Sequence, residues 1–154
     1  MATASPQRRD LKFNSVQELL ADAASAVRRN AGTTGNWSLG QIIEHLAIAM
    51  DKSIDGFQEL PPWFVRVIGR WFLKGAFLYK PMKAGFKLPA KAETELVSGP
   101  IEPQKALDHL RRAVERMKTT TTRKPHPVVG PLTADEWNQL HCRHAELHFS
   151  FVKE

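Results

Sequence analysis

Residues 133–151 read TADEWNQLHCRHAELHFSF, and this stretch decides how the rest of the chain is read. Thr133 and Glu136 have the spacing of a capping box, in which each side chain satisfies an orphan backbone N–H at a helix start. An α-helix turns ~100° per residue, so Trp137, Leu140, His141, His144, Leu147, His148 and Phe151 share an arc of roughly 120°. An apolar arc of that width packs inward, so imidazoles in it point at a core and not at water. His144 and His148 stand at i and i+4, one turn apart on one side of the helix. That spacing lets two rings reach a single ion. The expected helix runs over about 133–151.

A second histidine-bearing helix is expected at 38–55. Ser38 and Gln41 form its capping box, and Gly56 is the stop signal. Ile42, Ile43, Leu46, Ala49, Met50 and Ile54 make its apolar stripe, and His45 sits inside that stripe. If the two helices are neighbours, His45, His144 and His148 converge. Three protein nitrogens with a further position open describe a catalytic metal site and not a closed structural one.

Three histidines remain. His109 falls off the Leu107/Leu110/Val114 face and is expected to be solvated. His126 lies in a proline-flanked loop, where a surface role is expected over leaning across the site. His141 stays open between fourth ligand, hydrogen-bonding partner of a ligand, and rim residue. His126 and His141 are also the candidate catalytic proton carriers, because histidine titrates near neutrality. Cys142, the single cysteine, reads as a packed thiol, and no intrachain disulfide can form. Trp37 and Trp137 are expected near the helix starts, with either able to wall the site.

Two more long helices are expected, at 15–30 behind a Ser15/Glu18 capping box and at 103–118 with Ala106, Leu107, Leu110, Val114 and Met117 buried. A short helix at 62–73 follows Pro61 and Pro62, with Gly75 ending or bending it, and 81–103 reads as a long irregular excursion. No segment shows strand alternation. The fold class is therefore all-α, a four-helix bundle in one domain over 1–154, with 1–10 as a flexible lead. Trp63, Phe64, Trp71, Phe72 and Phe77 alternate with Arg66, Arg70, Lys74 and Lys80. They are expected to form a lid or satellite core with solvated lysines; the alternative is a partner or membrane surface across 63–80.

Composition narrows the classes. The chain has 154 residues, 42% hydrophobic and 25% charged, enough for one core without staples. Net charge is +6, yet there is no zinc finger, helix-turn-helix or dense basic stripe, so no nucleic-acid partner is expected. There is no secretory leader and no run of ~18–20 apolar residues, so a cytoplasmic protein without stable membrane association is expected, as monomer or homodimer.

NWSLGQIIEHL at 36–46 and PHPVVGPLTADEWNQLHCRHAELH at 125–148, with LKFNSVQELL at 11–20, resemble the DinB-like superfamily, in a branch of uncharacterised bacterial proteins. The resemblance implies a four-helix bundle with a long crossover, here carrying an inserted short helix and loop excursion. It also implies a divalent metal held by one histidine of the second long helix and an H-x-x-x-H pair of the last, which are His45, His144 and His148. Where many relatives carry a further histidine and an arginine or glutamine, this chain has Leu147, Ser150 and Phe151. Several members of the superfamily are similar to thiol S-transferases that use a low-molecular-weight thiol. The resemblance thus implies a metal-dependent transferase acting on a small electrophilic molecule; a metal-dependent hydrolase needs the same ion. Zinc and nickel lead the ions expected, and imidazole also suits copper and iron.

Overall fold

A computed structural model describes residues 8–85 and 90–154. The helices are α1 (Val16–Arg28), α2 (Leu39–Asp55), α3 (Trp63–Ile68), α4 (Lys74–Tyr79), α5 (Ala90–Leu96), α6 (Pro103–Thr119) and α7 (Ala134–Phe149). A π-turn over Gly69–Leu73 joins α3 to α4. The described residues are helical or irregular, with isolated bridges only and no strand among them. None of their helices is long and apolar enough to cross a membrane.

The long helices begin where the capping chemistry places them. Ser38 and Gln41 exchange both hydrogen bonds of a capping box, at 3.1 and 3.2 Å, and Thr133 and Glu136 do the same at 2.9 and 3.1 Å. The expected box at Ser15 is half formed: Ser15 accepts from Glu18 N–H, but the Glu18 carboxylate reaches past it to the N–H of Asn14. α2 stops at Gly56, whose φ of +99° no branched residue adopts without strain. α7 ends at Phe149, so Phe151 lies just beyond the helix and not on it as expected.

α1 and α2 each pack against both α6 and α7. Leu19, Ile43, Leu46, Leu110, Val114 and Phe149 fill the space between them. The expected flexible lead falls mostly on 1–7, outside the described residues. Its last residues are fastened: Arg9 makes a two-pronged ion pair with Asp22, its N–H donates to Ser150, and Arg8 covers the Phe151 ring. Further in, the backbone of Phe13 is gripped by a buried ion pair on α7. Its N–H donates to Glu146 and its carbonyl accepts from Arg143, both at 2.7 Å, while Arg143 and Glu146 pair at 2.7 Å. Burial raises the Glu146 carboxyl even against these two partners.

The connection from 56 to 102 departs most from expectation. Gly75 does not end a helix; the chain stays helical from 63 to 79 through the π-turn. The extra residue in that turn keeps one side toward the bundle, where Gly69 and Leu78 are buried. There the helix is bolted down by Lys74 to Glu136 at 2.8 Å and by Gln139 to the Leu78 carbonyl at 3.0 Å. Phe77 and Leu78 join Trp137, Leu140 and Val129 in a second, smaller core. The rest of the aromatics do not form the expected satellite core: Trp63, Phe64, Trp71 and Phe72 are all exposed. The region 81–103 is not wholly irregular either, because it contains α5. Good helix formers in AKAETEL explain those roughly two turns, a signal that the flanking prolines masked.

Two glycines of the 63–79 helix make opposite predictions. A Cβ on Gly69 would stand 2.2 Å from the Val128 carbonyl oxygen, whereas Gly75 has nothing within 4 Å. Gly69→Ala should therefore destabilise the fold by about 1–3 kcal/mol through forced displacement of backbone. Gly75→Ala should be neutral or stabilise by up to about 1 kcal/mol through helix propensity. Urea denaturation of the two variants checks this; equal midpoints would mean that the helix does not sit on Val128.

Candidate metal centre

α2 and α7 bring His45, His144 and His148 together, and their ligating atoms all lie within 4.8 Å of one another. His144 is central, with its Nε2 3.0 Å from Nε2 of His45 and 3.1 Å from Nε2 of His148. The rings meet edge to face, with centroids 4.7 to 4.8 Å apart. His45 is buried, and the other two are partly covered. Trp37 walls the group: it stacks on His148 at 5.2 Å and 9°, and meets His45 edge-on. Trp137 packs instead in the second core.

The proton positions follow from the partners. His45 Nδ1 lies 2.8 Å from the carbonyl of Leu96, which can only accept, so Nδ1 carries the proton and Nε2 presents a lone pair. Leu96 is the last residue of α5, the helix absent from the sequence reading. Glu95 holds that helix in place by accepting from Lys52 at 2.6 Å and from the N–H of Gln58 at 3.0 Å. With the His45 proton on Nδ1, His144 must donate from Nε2 to make the 3.0 Å contact. It then has no lone pair for His148, and one in-plane N–H cannot point well at both neighbours. Three neutral rings therefore cannot satisfy both short contacts, whereas a cation at their centre accepts all three lone pairs. The donor set fits a divalent ion on that ground.

Burial keeps the rings neutral. It lowers His45, lowers His144 well below the ordinary imidazole range with help from the neighbouring rings, and pushes His148 to about 3. Protons therefore do not compete for these nitrogens at neutral pH.

The other histidines correct their expectations. His126 is only partly exposed and is held by its neighbours. Its Nδ1 accepts from the N–H groups of Val128 and Val129, its ring packs beside Phe77 and Trp137, and burial pushes it to about 4. His141 lies outside the group of three and away from any rim. It stacks on Trp137, its Nε2 has no hydrogen-bond partner, and burial pushes it to about 3. His109 is not solvated but bridges α6 to α2, with Nδ1 2.9 Å from Glu44 and Nε2 2.8 Å from Asp51. Burial alone would lower it, yet the two carboxylates raise it. Cys142 is a packed thiol, as expected, and burial pushes it up to about 12, far from a nucleophile's range. Sequence reasoning missed the Leu96 carbonyl and the carboxylates around His109, since partners from distant segments leave no local spacing to read.

These shifts give a pH dependence. Histidines of the unfolded chain titrate near 6.5, while buried His141 and the largely covered His126 and His148 stay neutral in the fold, His126 down to about 4 and the other two down to about 3. Below pH 6.5 the unfolded chain binds more protons, so folded stability falls as pH falls. His109 has the opposite sign: its contribution is present below 6.5 and lost as pH rises through its folded value. One raised against five lowered, His45 and His144 included, leaves the acid-labile sign. Metal-free protein should lose on the order of 2 kcal/mol per buried histidine between pH 7 and 5, a large share of a typical domain's ~5–15 kcal/mol. Denaturant titration in the presence of a chelator measures it; a flat profile would mean that these rings are hydrated.

No curated protein and no solved structure matches this chain. A family model described as "Protein of unknown function (DUF1569)" matches residues 5–154. The chain belongs to that family.

Proposed function

We propose that His45, His144 and His148 are the ligands of a divalent metal ion, zinc or nickel first, and that the protein is a metal-dependent enzyme acting on a small molecule. The observation that carries this is the convergence of three Nε2 atoms whose two short contacts neutral imidazoles cannot both satisfy. The reading takes the arrangement of α1, α2, α6 and α7 as a DinB-like four-helix bundle whose long crossover carries α3 to α5. That resemblance supports thiol S-transfer to an electrophile.

An ion bound there would lower the pKa of a thiol or water at a remaining position, leaving a thiolate or hydroxide at neutral pH. The chain's own residues do the rest. Three neutral ligands would leave the positive charge of an ion uncompensated, and among the described residues no carboxylate joins the group to reduce it. The Leu96 carbonyl fixes the His45 tautomer and ring orientation, the usual role of such a partner. Trp37 pins the His148 ring by stacking and keeps water from that side. His126 and His141 hold no proton at neutral pH that they could donate beyond their single N–H, so this reading gives them packing roles beside Trp137.

Elemental mass spectrometry on purified protein should find about one divalent ion per chain, falling to near zero in the His144→Ala, His148→Ala double variant. Cobalt loading should add visible absorption bands in the native protein only. Native protein that stays empty after incubation with zinc and nickel would overturn the reading.

A further inference from the structure

The positive charge of this chain is concentrated in one place. Between Glu59 and Glu93 there is no acidic residue, while Arg66, Arg70, Lys74, Lys80, Lys83, Lys87 and Lys91 all fall there. Those seven cations exceed the whole chain's net charge of +6, so the remaining sequence is close to neutral. The helix from 63 to 79 lies in this stretch, and its outward side is apolar. Trp63, Trp71 and Phe72 are 74%, 75% and 79% exposed, and Phe64, Val67 and Ile68 are about half exposed. A contiguous apolar face of this kind marks an interaction surface.

The helix is not loose. Gly69 packs on the Val128 backbone, Lys74 pairs with Glu136, and Gln139 holds the Leu78 carbonyl, all on the side away from the aromatics. The exposed face is thus presented by a fixed support. Arg70 runs its stem over Gly130, and neither Arg66 nor Arg70 meets a carboxylate among the described residues. Two unneutralised guanidiniums beside a Trp/Phe/Ile face is the composition of a helix that lies in the headgroup region of a bilayer. A second copy of the chain suits it less, because face-to-face pairing would set cation against cation with no acidic residue to answer.

We propose that the 63–79 helix docks this protein on anionic lipid surfaces, with Trp63, Trp71 and Phe72 in the interface and Arg66 and Arg70 on lipid phosphates. The docking is peripheral and reversible, and it stands apart from the metal reading.

The test is sedimentation of the full chain, with chelator present, against vesicles of phosphatidylcholine with and without phosphatidylglycerol. Binding should appear with phosphatidylglycerol at low salt, weaken at high salt, and shift tryptophan emission to the blue. Arg66→Gln with Arg70→Gln should weaken it about thirtyfold, from the free energy of two cations near an anionic surface. Trp71→Ser with Phe72→Ser should weaken it at least as much, and neither pair should change thermal melting, because these side chains leave the core untouched. Folded protein that ignores anionic vesicles overturns the proposal. So does binding that both double variants retain. A dimer that the Trp71→Ser, Phe72→Ser variant loses, with no vesicle binding, would assign the face to a second copy instead.

Discussion

The hydrogen bond from His45 Nδ1 to the Leu96 carbonyl joins the two halves of this molecule. On one side stands the packed arrangement of α1, α2, α6 and α7; on the other, the long connection with its short helices. A single proton shared between them decides what the imidazole cluster can do. With that proton on Nδ1, the His45 lone pair is turned toward His144, and the cluster lacks one acceptor arrangement that neutral rings can supply. Buried polar groups left in that condition are costly, on the order of 1–3 kcal/mol each. A cation shared by the three nitrogens would remove the conflict. Glu95, one residue earlier, anchors α5 to Lys52, so the placement of the carbonyl is itself tied to the end of α2.

How much of this was legible in the sequence depends on distance along the chain. The His144/His148 pair and the inward face of His45 were readable, because helical period and capping boxes are local signals. Their convergence required only that α2 and α7 be neighbours, and they are. The fate of His126, His109 and His141 was not readable. Two of them are decided by groups far away in sequence: Phe57 and Phe77 beside His126, and Glu44 and Asp51 around His109; His141 stacks on Trp137 one turn away, a contact that its place on the inward arc left open among several roles. The aromatic segment was misjudged for a related reason. Trp63, Phe64, Trp71 and Phe72 have core composition, and burial is the common outcome for such residues. Nothing in their spacing says which side of the helix meets the bundle, because the π-turn shifts the register midway.

Electrostatics divides the chain along similar lines. Near the core, charges are paired: Arg143 with Glu146, Arg9 with Asp22, His109 between two carboxylates, Arg116 with Asp51 and Asp55. Over 60–92 there are cations and no anions at all. The Arg143–Glu146 pair shows what pairing accomplishes in the interior. Desolvating both charges is unfavourable by itself, and such pairs are seldom strong sources of stability. Here the pair also bonds the backbone of Phe13, giving an irregular segment the two bonds that a neighbouring strand would otherwise provide.

The π-turn at Gly69–Leu73 makes the orientation of a whole surface depend on chain length. Removing one residue there would restore a regular helix and rotate everything beyond it by roughly 100°. Phe77 and Leu78 would swing out of the second core or Trp63 and Phe64 would swing in, with no change in composition. Within this family, single-residue gaps at this point would therefore separate members that bury this helix from members that display it, and side-chain chemistry alone would not distinguish the two groups.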